Sequence, residues 1–169
     1  MVDTIDNQII TSNIVNLPDW SRVWIYQSNR PFSEKECLVL NSQLNAFVQN
    51  WAAHSQQLYA ACSIVHNQFI ILAVDESQAG ASGCSIDKSV HFMQEIENQY
   101  GISLFDRMAF AYMDNDTVKT ATKPTFKRLY TEGVLTDDTP VFDNLVNTVK
   151  DLKSAWVKPL KDSWHRRFV

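Results

Sequence analysis

Every position from Phe69 to Val74 is apolar, with no polar residue in the run, and the segment that follows Asp87 repeats at helical spacing. A run of this length and β-branched character predicts a strand covered on both faces. The apolar stretch Leu58 to Val65 precedes it across His66-Asn67-Gln68, which predicts a hairpin with a short polar turn. Arg22-Val23-Trp24-Ile25-Tyr26-Gln27 predicts an earlier strand, closed by the turn residues Ser28-Asn29-Arg30-Pro31. Ser33 and Glu36 then have the spacing of a capping box. Behind them Cys37, Leu40, Leu44, Phe47, Val48 and Trp51 recur on one helical face. A second helix carries Ile86, Val90, Met93, Ile96 and Tyr100 on its apolar face and Asp87, Lys88, His91, Glu95 and Asn98 on its polar one, with Gly101 as its stop. Arg107 to Met113 and Thr117 to Thr122 are strands turned by Asp114-Asn115-Asp116.

The order strand, helix, strand, strand, helix, strand predicts an α+β fold with the split βαβ, or ferredoxin-like, antiparallel sheet, extended by a C-terminal hairpin strand and C-terminal helices. Two helices cover one face of such a sheet, so the all-apolar third strand requires a cover for the other. The segment 146–169 is the candidate, because Trp156, Leu160 and Trp164 repeat every fourth residue across Pro159. A homodimer would serve as well. Residues 1–17 are polar without a clear period and read as a loose arm or an edge strand.

With 169 residues and 45% hydrophobic content, the chain fits a single domain with a full core. Its longest apolar run is far below the roughly 20 residues of a membrane span, and acidic Asp3 and Asp6 stand where an export signal would be basic. Cys37, Cys62 and Cys84 are odd in number and lack any C-x-x-C pair, which predicts free thiols in a reducing, cytoplasmic setting. The net charge of −4 divides into +4 from Lys150 onward and −8 before it. An acidic body argues against nucleic acid, and against reading Trp24, Tyr26, Phe110 and Tyr112 as a base-stacking platform; the basic tail is read as a partner for that body. The histidines and carboxylates lack metal-ligand spacing, and no cofactor is expected.

Asp75 to Asp87 joins the apolar strand to the second helix and contains two of the four glycines, small hydroxyl residues and one thiol. Its candidate binding residues are Asp75, Gly80, Ser82, Gly83, Cys84, Ser85 and Asp87. Free N–H groups at the helix start would face the glycine-containing loop, an arrangement suited to a small anion. Ser82 or Ser85 as a simple N-cap is the plainer reading. Cys84 is the candidate nucleophile, since a thiol at a helix N-terminus can be activated, but it needs a base and no histidine lies close in sequence. Lys88-Ser89 matches the end of a Walker P-loop, yet Ser82 and Asp87 occupy its glycine positions, so an ATPase is rejected. Arg30 reads as a solvated turn residue.

Arg22 to Gln27, Trp51-Ala52-Ala53-His54, Leu72 to Glu76, Ala81 to Asp87, Val141 to Val146, Ser163-Trp164 and Arg167-Phe168 together resemble a small family of uncharacterised bacterial proteins often labelled "ABC transporter ATPase". The label implies a P-loop that this chain lacks, so the resemblance implies no nucleotide and no catalytic residue. The expectation is a non-catalytic cytoplasmic domain that binds a small anion or a protein partner at the Gly80–Asp87 turn. A Cys84-dependent enzyme or thiol redox protein is one alternative, and an oligomeric interaction protein the other.

Overall fold

A computed structural model describes residues 12–169, so most of the predicted arm lies outside the described residues. Its remainder is ordered: helix α1, Ser12–Val15, directs Ile14 into the core, and Leu17 follows it. Strand β1 is Arg22–Gln27 and helix α2 is Glu34–Asn50. The predicted capping box is present, with Ser33 Oγ accepting the Glu36 N–H and Glu36 accepting the Ser33 N–H. A small hairpin, β2 (Ala52–Ala53) and β3 (Gln56–Gln57), precedes β4 (Tyr59–Val65) and β5 (Phe69–Asp75). His66 and Asn67 turn the second hairpin at positive φ. Helix α3 is Gly83–Tyr100, and Gly101 ends it in the left-handed conformation at φ 62°, which glycine adopts without a Cβ penalty.

The first sheet has the order β1-β5-β4, antiparallel throughout, with β5 at its centre. Side chains of a strand alternate between faces. Ile70, Leu72 and Val74 accordingly meet Leu40, Leu44, Met93 and Ile96 from α2 and α3. Phe69, Ile71 and Ala73 point the other way, into a second core with Ile14, Phe142, Leu152 and Trp156. Full burial of each large aliphatic or aromatic side chain contributes about 1.5–3 kcal/mol, so this strand anchors both halves of the molecule.

The predicted single sheet is not formed. The expected fourth strand, β6 (Ala109–Asp114), leaves the edge of β1 and starts a second sheet of order β7-β6-β8-β9, with β7 at Thr117–Thr122, β8 at Pro140–Phe142 and β9 at Val157–Pro159. The place beside β1 is taken by the chain around Thr148, where Val23 N–H donates to Asn147 C=O and Val149 N–H donates to Ser21 C=O. The hairpin β6-β7 does extend the fold as expected.

The C-terminal segment also differs from expectation. Only α5, Val149–Ala155, is an α-helix there, between the unpredicted strands β8 and β9 and ahead of two 3-10 turns, Leu160–Asp162 and Trp164–Phe168. Trp156 covers the far face of β5 as predicted, but Leu160 and Trp164 lie beyond the second sheet, in a third core with Phe110, Phe126 and Val141. Proline at 159 breaks the helical period, and the chain uses the break to form a strand. Helix α4, Lys123–Thr131, supplies Phe126 to that core, with Leu129 and Tyr130 packed beside it at i+3 and i+4. The buried face of α3 is rotated from the predicted one and runs Ser85, Ser89, Met93 and Ile96.

Arg30 is a structural tie. Its guanidinium holds both Glu36 carboxylate oxygens, at 2.9 and 2.8 Å, and donates to Tyr100 C=O at 2.7 Å, so the start of α2 is fastened to the end of α3. The Arg30 hydrogen bonds hold the Glu36 carboxyl well below the ordinary carboxylate range, at about 2.

Trp156 is fully buried among Phe69, Phe142 and the His66 ring. Truncation to alanine is expected to cost roughly 3–5 kcal/mol in urea unfolding, because the cavity opens where the two sheets meet. A loss below about 1 kcal/mol would mean the second core is not a stability centre.

Candidate functional site

The predicted loop is a well-closed helix start. Asp75 Oδ1 accepts the Ser77 N–H at 3.0 Å and turns the chain away from β5. Ser82 is the N-cap: its Oγ accepts the Ser85 N–H at 3.2 Å, while Ser85 Oγ accepts the Ser82 N–H at 2.7 Å. Ser85 is buried, and its carbonyl accepts the Trp51 indole N–H at 2.8 Å, which docks the start of α3 against the end of α2. The plainer reading of Ser82 and Ser85 therefore holds for their side chains. Neither Gly80 nor Gly83 has a positive φ, so the backbone does not demand glycine at either. An added Cβ at Gly83 would meet nothing within 4 Å, and Cys84 and Asp87 beside it are exposed.

No hydrogen bond joins the Cys84 thiol to an imidazole or to any other described residue. His66 packs its ring on Phe69 and Phe142, on the sheet face opposite α3. The other two thiols are less accessible. Burial pushes the Cys62 thiol up to about 11 and raises Cys37 as well, the latter helped by the carboxylates of Glu36 and Glu34.

A more developed site lies one turn further along α3, between the two sheets. Where β6 parts from β1 a cleft of about 490 Å³ remains, within the roughly 300–1,000 Å³ usual for small-molecule sites. Its walls come from β1, from Ile86 and Val90 of α3, from the segment 104–111, from 142–147 and from the Trp164-His165 turn. Two side-chain amides and one indole tie these walls together. Gln27 donates from Nε2 to Ala109 C=O at 3.0 Å and accepts at Oε1 from Asn144 Nδ2 at 2.9 Å, while Asn144 Oδ1 accepts the Trp156 indole N–H at 2.9 Å.

Asp143 fixes the wall from behind. Its carboxylate accepts from Lys158 Nζ at 2.9 Å, from the Trp164 indole at 2.8 Å and from Leu145 N–H at 3.1 Å. Burial alone would raise its pKa, but the hydrogen bonds from Lys158, Trp164 and the Leu145 amide outweigh burial and hold it below the ordinary range.

No family model, curated protein or solved structure matches this chain. Chemistry must therefore be read from the side chains. Among the described residues no three His, Cys, Asp or Glu side chains gather to hold a metal ion, and no helix is long and apolar enough to cross a membrane.

His165 is the functional group that the sequence pattern gave no means to find. Its ring is 1% exposed, stacks on Trp164 at 3.8 Å between ring centres, and stands edge-on to Phe110 at 5.0 Å in the cleft wall. Nδ1 pairs with Ser163 Oγ at 2.6 Å, and Nε2 has no hydrogen-bond partner among the described residues. Burial depresses its pKa to about 4, so the imidazole is neutral at pH 7. Its neighbour Trp164 is tied to Asp143, which is remote in sequence.

Two outcomes are expected. Because the neutral imidazole is the folded form, its contribution to stability is complete above about pH 6.5 and is lost as pH falls towards 4. Urea unfolding of His165→Phe should therefore show less acid destabilisation than the unaltered protein over that window, and parallel curves would show that His165 is not the group responsible. In iodoacetamide labelling at pH 8, Cys84 should react first, Cys37 more slowly and Cys62 only on unfolding. Early labelling of Cys62 would contradict the packing of α2 on β4.

Proposed function

We propose that the protein is a non-catalytic binding module that takes its ligand in the cleft between the two sheets. The observation that carries this reading is that a cleft of ligand size is lined by the buried imidazole of His165 and rimmed by exposed apolar side chains. Phe105, at 41% exposure, and Leu145, at 60%, stand at its rim, where a folded monomer gains nothing from showing them to water. Ordered hydrogen bonds behind the wall support preorganisation, since Gln27, Asn144 and Asp143 hold the lining segments before any ligand arrives.

The Gly80–Asp87 turn contributes Ile86 to this cleft. Its own capacity for an anion is reduced to the N–H groups of Gly83 and Cys84, because Ser82 already takes those of Ser85 and Ile86. Binding at the cleft is favoured over the Cys84 enzyme, since a cysteine nucleophile requires a base within hydrogen-bond reach and Cys84 has no such partner among the described residues.

Leu145→Arg tests the reading, as the position is exposed and tolerates a large polar side chain without disturbing the core. A cocktail of small neutral aromatic and heterocyclic fragments, followed by saturation-transfer NMR, is expected to give hits with the unaltered protein that disappear with Leu145→Arg. Hits that persist in the variant, or a complete lack of hits, would remove the cleft as the binding site.

A further inference from the structure

A strand in a sheet sends the N–H and C=O of alternate residues to opposite neighbours. In β1, Val23, Ile25 and Gln27 face away from β5, because Val23 N–H reaches Asn147 C=O while Ser28 N–H, in the other phase, reaches Gln68 C=O on the β5 side. This outward edge is closed at both ends. Residues 147–149 pair with 21–23 at one end, and the Gln27 side chain joins Ala109 and Asn144 at the other. Between these closures the C=O of Val23, both polar groups of Ile25 and the N–H of Gln27 face the cleft, along about 13 Å of edge at roughly 3.3 Å per residue.

An unpaired strand edge usually invites another strand. Here a through-running strand is blocked, since residues 147–149 already occupy its path and the Gln27–Ala109 link crosses it. The window admits only a short occupant. Its charged lining residues are Asp106 and Arg107, one of each sign, so the site favours a ligand without net charge. Phe105 at the rim offers an exposed aromatic ring, and the buried His165 belongs to the wall.

From this geometry we infer that the cleft takes a small, neutral, planar ligand with a hydrogen-bond donor and acceptor on neighbouring atoms, as on a cyclic amide or the pairing edge of a nucleobase, matched to the outward N–H and C=O groups of Ile25. The ligand replaces the missing fourth strand in hydrogen bonding and stacks on the apolar rim. This class rests on the cleft being the binding site, and the two ideas fail differently.

The test is amide-resolved NMR of the full chain titrated with uracil, adenine and the cyclic dipeptide of glycine. The comparison probes are 1,3-dimethyluracil, which keeps the plane and acceptors but has lost its N–H donors, a uridine hexamer, and benzyl alcohol, which has no amide edge. The expected result is a saturable shift of the Ile25 amide with at least one of the first three probes. 1,3-Dimethyluracil should bind at least about tenfold more weakly, the loss expected when a buried carbonyl is left unpaired. Ile25→Pro, which removes an N–H that makes no ladder bond, should weaken binding by a similar factor in a protein whose spectrum stays dispersed. Equal binding of uracil and its dimethyl form overturns the inference. Shifts at cleft residues with benzyl alcohol but with none of the amide probes overturn the ligand class and leave the cleft as a site; no shift there with any probe overturns both. Binding of the hexamer without binding of free base or cyclic dipeptide would assign the edge to single-stranded nucleic acid and also overturn the inference.

Discussion

The fold depends on one constraint: β5 is apolar on both faces, and both must be kept from water. Ile70, Leu72 and Val74 are satisfied by α2 and α3, as in any two-layer sheet. Phe69, Ile71 and Ala73 require a second layer, and the chain supplies it from α1, α5, Trp156 and the strands of the second sheet. Since those pieces, Ala111 of β6 and Val157 of β9 among them, must fit against the far side of the sheet, the C-terminal third cannot simply add strands to its edge. It makes a sheet of its own, with a third core around Phe110, Phe126 and Leu160 on the side away from β5.

The cleft follows from that demand. In a single sheet β6 would pair with β1 and consume its edge. Once β6 belongs to the second sheet, β1 is left, among the described residues, with the short bridge at Thr148 and the Gln27 side chain, and the gap between them is the space that a strand would have filled. The polar links along its walls are those expected where backbone groups lose their ladder partners: Gln27 caps Ala109 C=O and Asn144 orients Gln27. The same amides that repair the broken sheet give the cleft its fixed shape.

Local signals in the sequence located most elements, because each rests on chemistry within a few residues. The Ser33–Glu36 box, the His66-Asn67 turn and Gly101 all stand where their backbone requirements place them. The all-apolar run from Phe69 to Val74 correctly called for two covers and pointed to Trp156. Which edge β6 would join was not legible, since its apolar run Met108 to Met113 suits either sheet and the choice is made by residues some 30 positions later. Leu160 and Trp164 share the spacing of Trp156, yet they belong to another core, because Pro159 converts a helical repeat into a strand and a turn. At the candidate site, the Ser82 cap was readable from its neighbours. The cleft was not, as Ile25, Ala109, Asn144 and His165 carry no mutual spacing and meet only through the division of the sheet.

Electrostatics adds a constraint on how rigid the cleft is. The −8 body and +4 tail meet through individual pairs, Lys158 with Asp143, Lys161 with Asp138 and Arg166 with Asp137. The last two lie at the surface, and each such pair contributes little. Asp143 differs because its site is buried and three donors converge on it, so removing any one leaves a desolvated charge with an incomplete shell. One of those donors, Trp164, also forms the stacking partner of His165. The imidazole in the cleft is thus positioned through an indole whose other end is tied to a carboxylate 21 residues earlier. The tail therefore acts as the clamp that sets the cleft wall, and the charge asymmetry read from the sequence has its main structural consequence at that one carboxylate.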